Sequence, residues 1–245
     1  MEFIYKIICE KGKDSSINGD YAAVHNIEGG LLSIVCDGVG GTPGGDMAAG
    51  LCAKEFYKFF TASDDKNYIS RIKSSLIKTN ENINALYNNE SKSFASTTAD
   101  ILFIKNHSAY WGHIGDSRIY SIKNNKIHCL TKDHSMVQKL VDKGFITLKQ
   151  AEVHPNKNVM TTALGNKEKM NIDVSKMSIN NKDSHKFFLC TDGVFNLVTD
   201  EELQSIINSA NTDIASNNIS QLIESRNPTD DYSFILIDLH SLKKS

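Results

Sequence analysis

The sequence predicts an α+β protein in which antiparallel sheets carry segregated pairs of helices. Short runs rich in Ile, Val, Phe and Tyr occur at both ends of the chain and in its middle. Two long amphipathic segments stand together early, and two more stand together just before the last apolar run. Regular βαβ alternation would instead place a helix after nearly every strand.

In chain order, strands are expected at residues 3–9, 21–24 and 31–36, then at 98–104, 109–114, 117–122, 187–190 and 232–239. The early helices fall at 46–60 and 67–88, the second carrying Ile69, Ile72, Leu76, Ile83 and Leu86 at three- and four-residue spacing. The late pair falls at 199–209, where Thr199 followed by Glu202 resembles a capping box, and at 212–224. Strands 109–114 and 117–122, joined at Gly115-Asp116 and followed by a turn at 123–126, suggest a meander. Asp133-His134-Ser135 could act at the site, or Asp133 could equally cap a helix over 135–142. Residues 145–169 have weak periodicity beside Gly144 and Pro155 and read as a mobile flap.

A chain of 245 residues with only three prolines has no stiff linker to divide it, so one domain over 1–245 is expected. The net charge is −2, with 27 basic against 29 acidic residues. That balance creates no bulk field for nucleic acid or an anionic membrane. Cysteines at 9, 36, 52, 129 and 190 show no Cys-x-x-Cys pair and read as reduced, mostly buried thiols. The opening MEFIYKIICEKGKD is interrupted by charge, and no run approaches the roughly 20 apolar residues of a membrane span. The expectation is a cytoplasmic monomer.

The chemistry lies where apolar runs meet aspartate: LLSIVCDGVGG gives Asp37, YWGHIGDSR gives Asp116, FFLCTDGVF gives Asp192, and PTDDYSFILI gives Asp230 and Asp231. One Asp-Gly pair is ordinary turn chemistry. Several at the ends of core runs, with Gly38, Gly40, Gly41, Gly44 and Gly45 crowding after Asp37, point to carboxylates converging on a hard cation such as Mg²⁺ or Mn²⁺. No Gly-Lys-Ser/Thr follows, which excludes a Walker-type phosphate loop.

These elements occur in the order NGD (18–20), CDGVGG (36–41), STTA (96–99), GDSR (115–118), LTKDHS (130–135), TALG (162–165), TDGVFN (191–196) and DDYS (230–233). The series resembles the metal-dependent protein phosphatases of the 2C type over nearly the whole chain. The resemblance implies a four-layer αββα sandwich of two antiparallel sheets flanked by helix pairs, with two Mn²⁺ or Mg²⁺ ions at one edge. It also implies that Asp37 bridges both ions, that Gly38 supplies a carbonyl, that Asp192 and Asp230 complete one shell, that Asp20 supports the second ion, and that Asp116 contributes to a weaker third site. The implied reaction is attack by a metal-activated water on phosphoserine or phosphothreonine in a protein, a cognate kinase or its targets among them, without a phosphoenzyme. No cysteine begins a Cys-x5-Arg loop.

The chain departs from the family pattern at four positions. Ser15 replaces an arginine that grips phosphate, with Lys13 nearby as a substitute; Gly19 replaces a glutamate; Asn196 stands for a further aspartate, weakening the third site; and Val39 stands where some members have a histidine. The alternative function is a catalytically weak relative acting as a regulatory binding module. Retention of the five aspartates argues against it, because clustered like charges repel without metal. Arg118 reads as an ion-pair partner, Trp111, Phe187 and Phe188 as core, and His107, His113 and His128 show no ligand spacing.

Overall fold

The computed structural model describes residues 2–39, 45–90, 95–166, 170–180 and 184–240. Ten strands and seven helices follow one another as β1 (Glu2–Glu10), β2 (Asp20–Ile27), β3 (Gly30–Asp37), α1 (Gly45–Ala62), α2 (Tyr68–Glu90), β4 (Ala99–Lys105), β5 (Ser108–Ile114), β6 (Arg118–Lys123), β7 (Lys126–Cys129), α3 (Met136–Asp142), α4 (Leu148–Glu152), β8 (Asp173–Ser178), β9 (His185–Cys190), α5 (Asp192–Phe195), α6 (Asp200–Ser209), α7 (Thr212–Ser225) and β10 (Tyr232–His240). They build two five-stranded sheets, ordered β1-β10-β9-β6-β7 and β2-β3-β4-β5-β8. Every pairing is antiparallel.

Two-sided burial explains the near-continuous apolar strands. In β3, Leu32, Ile34 and Cys36 pack with Phe56 and Phe60 of α1 and Ile72 and Leu76 of α2. The alternating Leu31 and Val35 instead join Ile235 and Ile237 of the other sheet. In β10, Phe234 and Leu236 pack under Leu203 and Ile207 of α6 and Ile219 and Ile223 of α7. Three apolar layers therefore separate four structural layers, the expected αββα sandwich. The late helices start where their caps predict: Thr199 and Glu202 form the full capping box of α6, and Asn211 caps α7.

Two expectations are corrected. The segment 109–122 is not part of a meander, because β5 and β6 lie in different sheets. Gly115 makes that crossing at φ +108°, and a Cβ there would stand 2.5 Å from Thr98 Cγ2. The hairpin is β6–β7, whose turn residues Asn124 and Asn125 both have positive φ. Ser135, not Asp133, caps α3 by accepting the Gln138 N–H, and Asp133 instead receives Arg118 Nε and Nη2 at 3.0 and 2.8 Å. Within 145–169, Thr147 and Gln150 form a capping box on α4, Met160 bridges to Ser135, and buried Leu164 bridges to Thr97. The cysteines are mostly buried free thiols, as expected: Cys36, Cys52 and Cys190 are buried, while Cys9 and Cys129 are exposed.

Residues 167–169, Gly40, Gly41 and Gly44, and the side chain of Leu86, lie outside what is described. No helix among the described residues is long and apolar enough to cross a membrane.

Candidate metal centre

The strand-end aspartates come from both sheets. Asp20 opens β2 and Asp37 closes β3, and the two face each other in the antiparallel register. Asp37 is held by its main chain: its N–H donates to Thr98 Oγ1 at 2.9 Å, and its carbonyl accepts from Thr98 N–H at 2.8 Å and Thr97 Oγ1 at 2.9 Å. Gly38 N–H donates to the Gly19 carbonyl at 3.1 Å, and Val39 N–H to the Ser96 carbonyl at 2.9 Å. Thr98 Oγ1 also shares a 2.7 Å hydrogen bond with Ser117 Oγ, next to Asp116.

From the other sheet, Asp192 opens α5 directly after β9, and Asp230 precedes β10. Thr191 Oγ1 donates to Asp20 Oδ2 at 2.8 Å and so ties β9 to β2 across the sheets. Asn196 Nδ2 donates to Asp192 Oδ2 at 3.2 Å. The Asp116 turn is clamped by His134, which donates its N–H to the Gly115 carbonyl at 2.7 Å and accepts the Gly115 N–H on Nδ1 at 3.2 Å. The imidazole proton therefore sits on Nε2 and is donated to Asp173 Oδ2 at 3.1 Å.

The electrostatics join these carboxylates into one cluster. Burial, then Asp20, Asp192, Asp116 and Asp230, push Asp37 well above the ordinary carboxylate range. Burial raises Asp20 to about 7, against hydrogen bonds from Thr191 and Ser233, with Asp192 and Asp231 adding repulsion. Asp116 rises to about 7 through burial and then Asp192 and Asp133. Asp192 rises to about 6 through burial and then Asp230, while hydrogen bonding with Asp37 and from Asn196 pulls it back. Asp230 is raised as well, chiefly by burial.

Such a set costs free energy when ionised unless cations neutralise it. Its donors are carboxylate oxygens together with the Gly38 main chain, the chemistry of hard divalent cations. Among the described residues, no three His, Cys, Asp or Glu side chains are grouped so as to hold an ion by themselves. The donor types fit Mn²⁺ or Mg²⁺.

Lys13 Nζ donates to Asn227 Oδ1, and its N–H to the Pro228 carbonyl at 3.0 Å. Ser15 is half-buried in the same loop, its N–H on the Gly12 carbonyl at 3.4 Å. Arg118 pairs with Asp133 and lies 3.8 Å from the Phe195 ring centroid, as an ion-pair partner should. Trp111, Phe187 and Phe188 are core. His113 is no lone histidine: fully buried, it bonds Asp100 Oδ1 at 2.6 Å and the Lys132 carbonyl at 3.0 Å. Thr98 and Thr191 are supporting residues that sequence reasoning left without a role, and it did not give His134 and Asp231 the supporting roles they have here. Each acts on a partner 19 or more residues away, so no local spacing could reveal it.

The comparisons with known proteins bear on the family and the fold. Residues 11–224 match the family model for protein phosphatase 2C. Protein phosphatase PhpP of Streptococcus pneumoniae is 30% identical over 207 residues, covering 83% of each chain. The serine/threonine phosphatase stp of Listeria monocytogenes serotype 4b is 28% identical over 213 residues, covering 83% of this chain and 82% of its own. Among solved structures, the serine/threonine phosphatase Stp1 of Staphylococcus aureus superposes with a TM-score of 0.90 at 24% identity, covering 98% of this chain and 96% of its own. The catalytic domain of PstP, in complex with 2 manganese ions, superposes with a TM-score of 0.85 at 21% identity, covering 98% and 99%. With the match running along most of its length, the chain belongs to the protein phosphatase 2C family.

Proposed function

We infer that this family member hydrolyses phosphoserine and phosphothreonine in proteins, in a metal-dependent reaction centred on Asp37. The observation that carries the reading is the convergence of Asp20, Asp37, Asp116, Asp192 and Asp230, whose charges raise one another's proton affinity. Two ions, Mn²⁺ or Mg²⁺, would be held by the carboxylate of Asp37 and the carbonyl of Gly38, with Asp192 and Asp230 for one ion and Asp20 supporting the other. Asp116 would serve a weaker third ion, since Asn196 spends its amide on Asp192. When bound, the ions supply an activated water and positive charge for the phosphoryl oxygens. The chain's part is preorganisation: Thr97 and Thr98 fix Asp37 through its main chain, and Thr191 fixes Asp20.

A covalent cysteine route finds no support here. The thiol before Asp37, Cys36, is buried and raised well above its ordinary value, first by hydrogen bonding with Cys52 and then by burial. Cys190, close before Asp192, is raised by burial. Neither is held as the thiolate that nucleophilic attack requires. The binding-module alternative is not favoured, since the similar proteins are named as phosphatases and all five carboxylates are present.

The free thiols suit a reducing, cytoplasmic setting, in which the chain would act as a monomer on a cognate serine/threonine kinase or that kinase's targets. The exposed Phe145, Leu148 and Val153 support 145–169 as the surface that meets the protein substrate within one catalytic domain. The test is phosphate release from p-nitrophenyl phosphate and from a phosphothreonine peptide. Turnover of both with Mn²⁺ or Mg²⁺ and none in EDTA is expected; full activity in EDTA would overturn the reading.

A further inference from the structure

The metal centre proposed above is divided between two sheets. Asp20 and Asp37 lie on β2 and β3, with Gly38 directly after β3, whereas Asp192 follows β9 and Asp230 precedes β10. Ions shared across that division need ligand positions fixed to within about 0.5 Å. Something in the chain must set the spacing.

We propose that Asp231 is the positioning residue that fixes the two halves against each other by holding the β1–β2 loop. Its Oδ1 accepts the Gly12 N–H at 2.8 Å and its Oδ2 accepts the Gly19 N–H at 2.6 Å, bonds that span 219 and 212 residues of sequence. Gly19 passes the constraint on, because its carbonyl accepts the Gly38 N–H at 3.1 Å and its neighbour is Asp20. Asp231 thus links the start of β10 to the strand ends that carry Asp20 and Asp37. Its side chain is committed to the main chain and not to an ion.

The packing around this aspartate leaves no slack. A Cβ on Gly12 would lie 2.4 Å from the Asp230 main-chain carbon and oxygen, so the loop rides directly on the strand it is tied to. On the other side, a Cβ on Gly193 would lie 2.0 Å from the Asp231 carbonyl oxygen, so the turn carrying Asp192 abuts the same peptide. The main chain at 230–231 is thereby gripped from both sides, and the positions of Asp20, Asp192 and Asp230 are set from one hub. Two converging N–H donors require an acceptor at each oxygen, which a carboxylate offers. An asparagine offers one and would turn an NH₂ toward the other donor.

This proposal rests on the metal-centre reading, and its test separates the two. In the wild-type protein without added metal, the amides of Gly12 and Gly19 should exchange at least about tenfold more slowly than those of Ser16 and Ile17 in the same loop, because a buried, hydrogen-bonded amide exchanges only on opening. In Asp231→Asn, protection at one of the two glycines should be lost, and the calorimetric Kd for Mn²⁺ should rise about tenfold, the usual effect of removing a ligand's support. At saturating Mn²⁺ kcat should fall by less than that factor, a split that general loss of stability would not produce. Wild-type Kd in Asp231→Asn overturns the proposal, as does a fall in kcat with Kd unchanged. So do Gly12 and Gly19 amides that exchange as fast as Ser16 in the wild type, an outcome that needs no variant to fold. Failure of the wild type itself to bind Mn²⁺ would instead bring down the metal-centre reading while leaving the exchange result to judge the clamp.

Discussion

The β2–β3 hairpin carries carboxylates at both of its ends, and the two ends treat them in opposite ways. At the open end, Asp20 is raised to about 7 by burial among other acids. At the tip, Glu28 is lowered to about 2, first by its hydrogen bond from Arg71 and then, against burial, by Lys105. Arg71 is fully buried, donating Nε to the Phe60 carbonyl at 2.6 Å and Nη2 to Glu28 at 2.8 Å, with its guanidinium 4.4 Å from the centre of the Phe60 ring. Lys105 and the Tyr68 hydroxyl complete the shell of Glu28. At the tip the chain supplies its own cations, which stabilises the fold. At the open end it supplies negative charge without matching cations, which makes the site responsive to ions from solution.

The largest effect expected from this contrast is at Asp37. Asp37→Asn should lower kcat on the order of a thousandfold by opening both metal shells. The same change should leave the metal-free melting temperature unchanged or raise it, since it removes a buried charge that four other carboxylates oppose. Near-wild-type turnover in this variant would show that Asp37 is not a shared ligand.

The converse holds at the tip. Arg71→Met should cost about 3 kcal/mol of stability, less than for a wholly buried pair because Glu28 is partly exposed. Turnover per folded molecule should not change. A urea titration alongside an assay at saturating Mn²⁺ checks both statements, and a fall in kcat would show that the two ends are coupled.

The difference between the ends should also appear in the pH dependence of the metal-free protein. Asp20 and Asp116 have folded values of about 7 against an ordinary 3.8, so the stability they contribute is present below about pH 4 and lost as pH rises through 7. Glu28, at about 2 against 4.5, contributes above about pH 4.5 and loses its contribution as pH falls through 2. Without metal, unfolding should therefore become easier between pH 5 and 8. Mn²⁺ at about 100 times its Kd should restore about 2.7 kcal/mol at the alkaline end. Parallel melting curves with and without Mn²⁺ across that range would remove the argument.

The parts of this architecture legible in the sequence share a property: their signal is local. Apolar runs such as 31–36 and 232–239 identify strands covered on both faces, and Thr199 with Glu202 marks a helix start. The same capping signal at Thr147 and Gln150 is hidden by the polar stretch around it. β8 was missed because an edge strand with the pattern DVSKMS buries little. The β5–β6 junction looked like a hairpin because a Gly-Asp turn reads alike whether the chain returns along the same sheet or steps across to the other. In the candidate site the aspartates stood out at strand ends. What holds them did not, since Thr98, Thr191 and Asp231 reach partners 61, 171 and 219 residues away.

The smallest expected effect concerns substrate phosphate, where the acidic end again relies on ions instead of its own cations. Ser15 stands where the family resemblance places a gripping arginine, and the nearby Lys13 has its ammonium on Asn227. Lys13→Ala should therefore leave KM for p-nitrophenyl phosphate within about twofold, as expected for an exposed lysine whose contacts contribute under 1 kcal/mol. Ser15→Arg should lower KM, because a guanidinium fork on a phosphoryl group contributes about 1.5–3 kcal/mol when well placed and less from a loop position. Its kcat should change little if the contact is equally strong in the ground and transition states. A marked rise in KM for Lys13→Ala would mean that the ammonium leaves Asn227 when substrate enters, and that the acidic end does own a cation after all. If Ser15→Arg left KM unchanged in both the wild-type and Lys13→Ala backgrounds, position 15 would not face the phosphate, and the ions alone would anchor it.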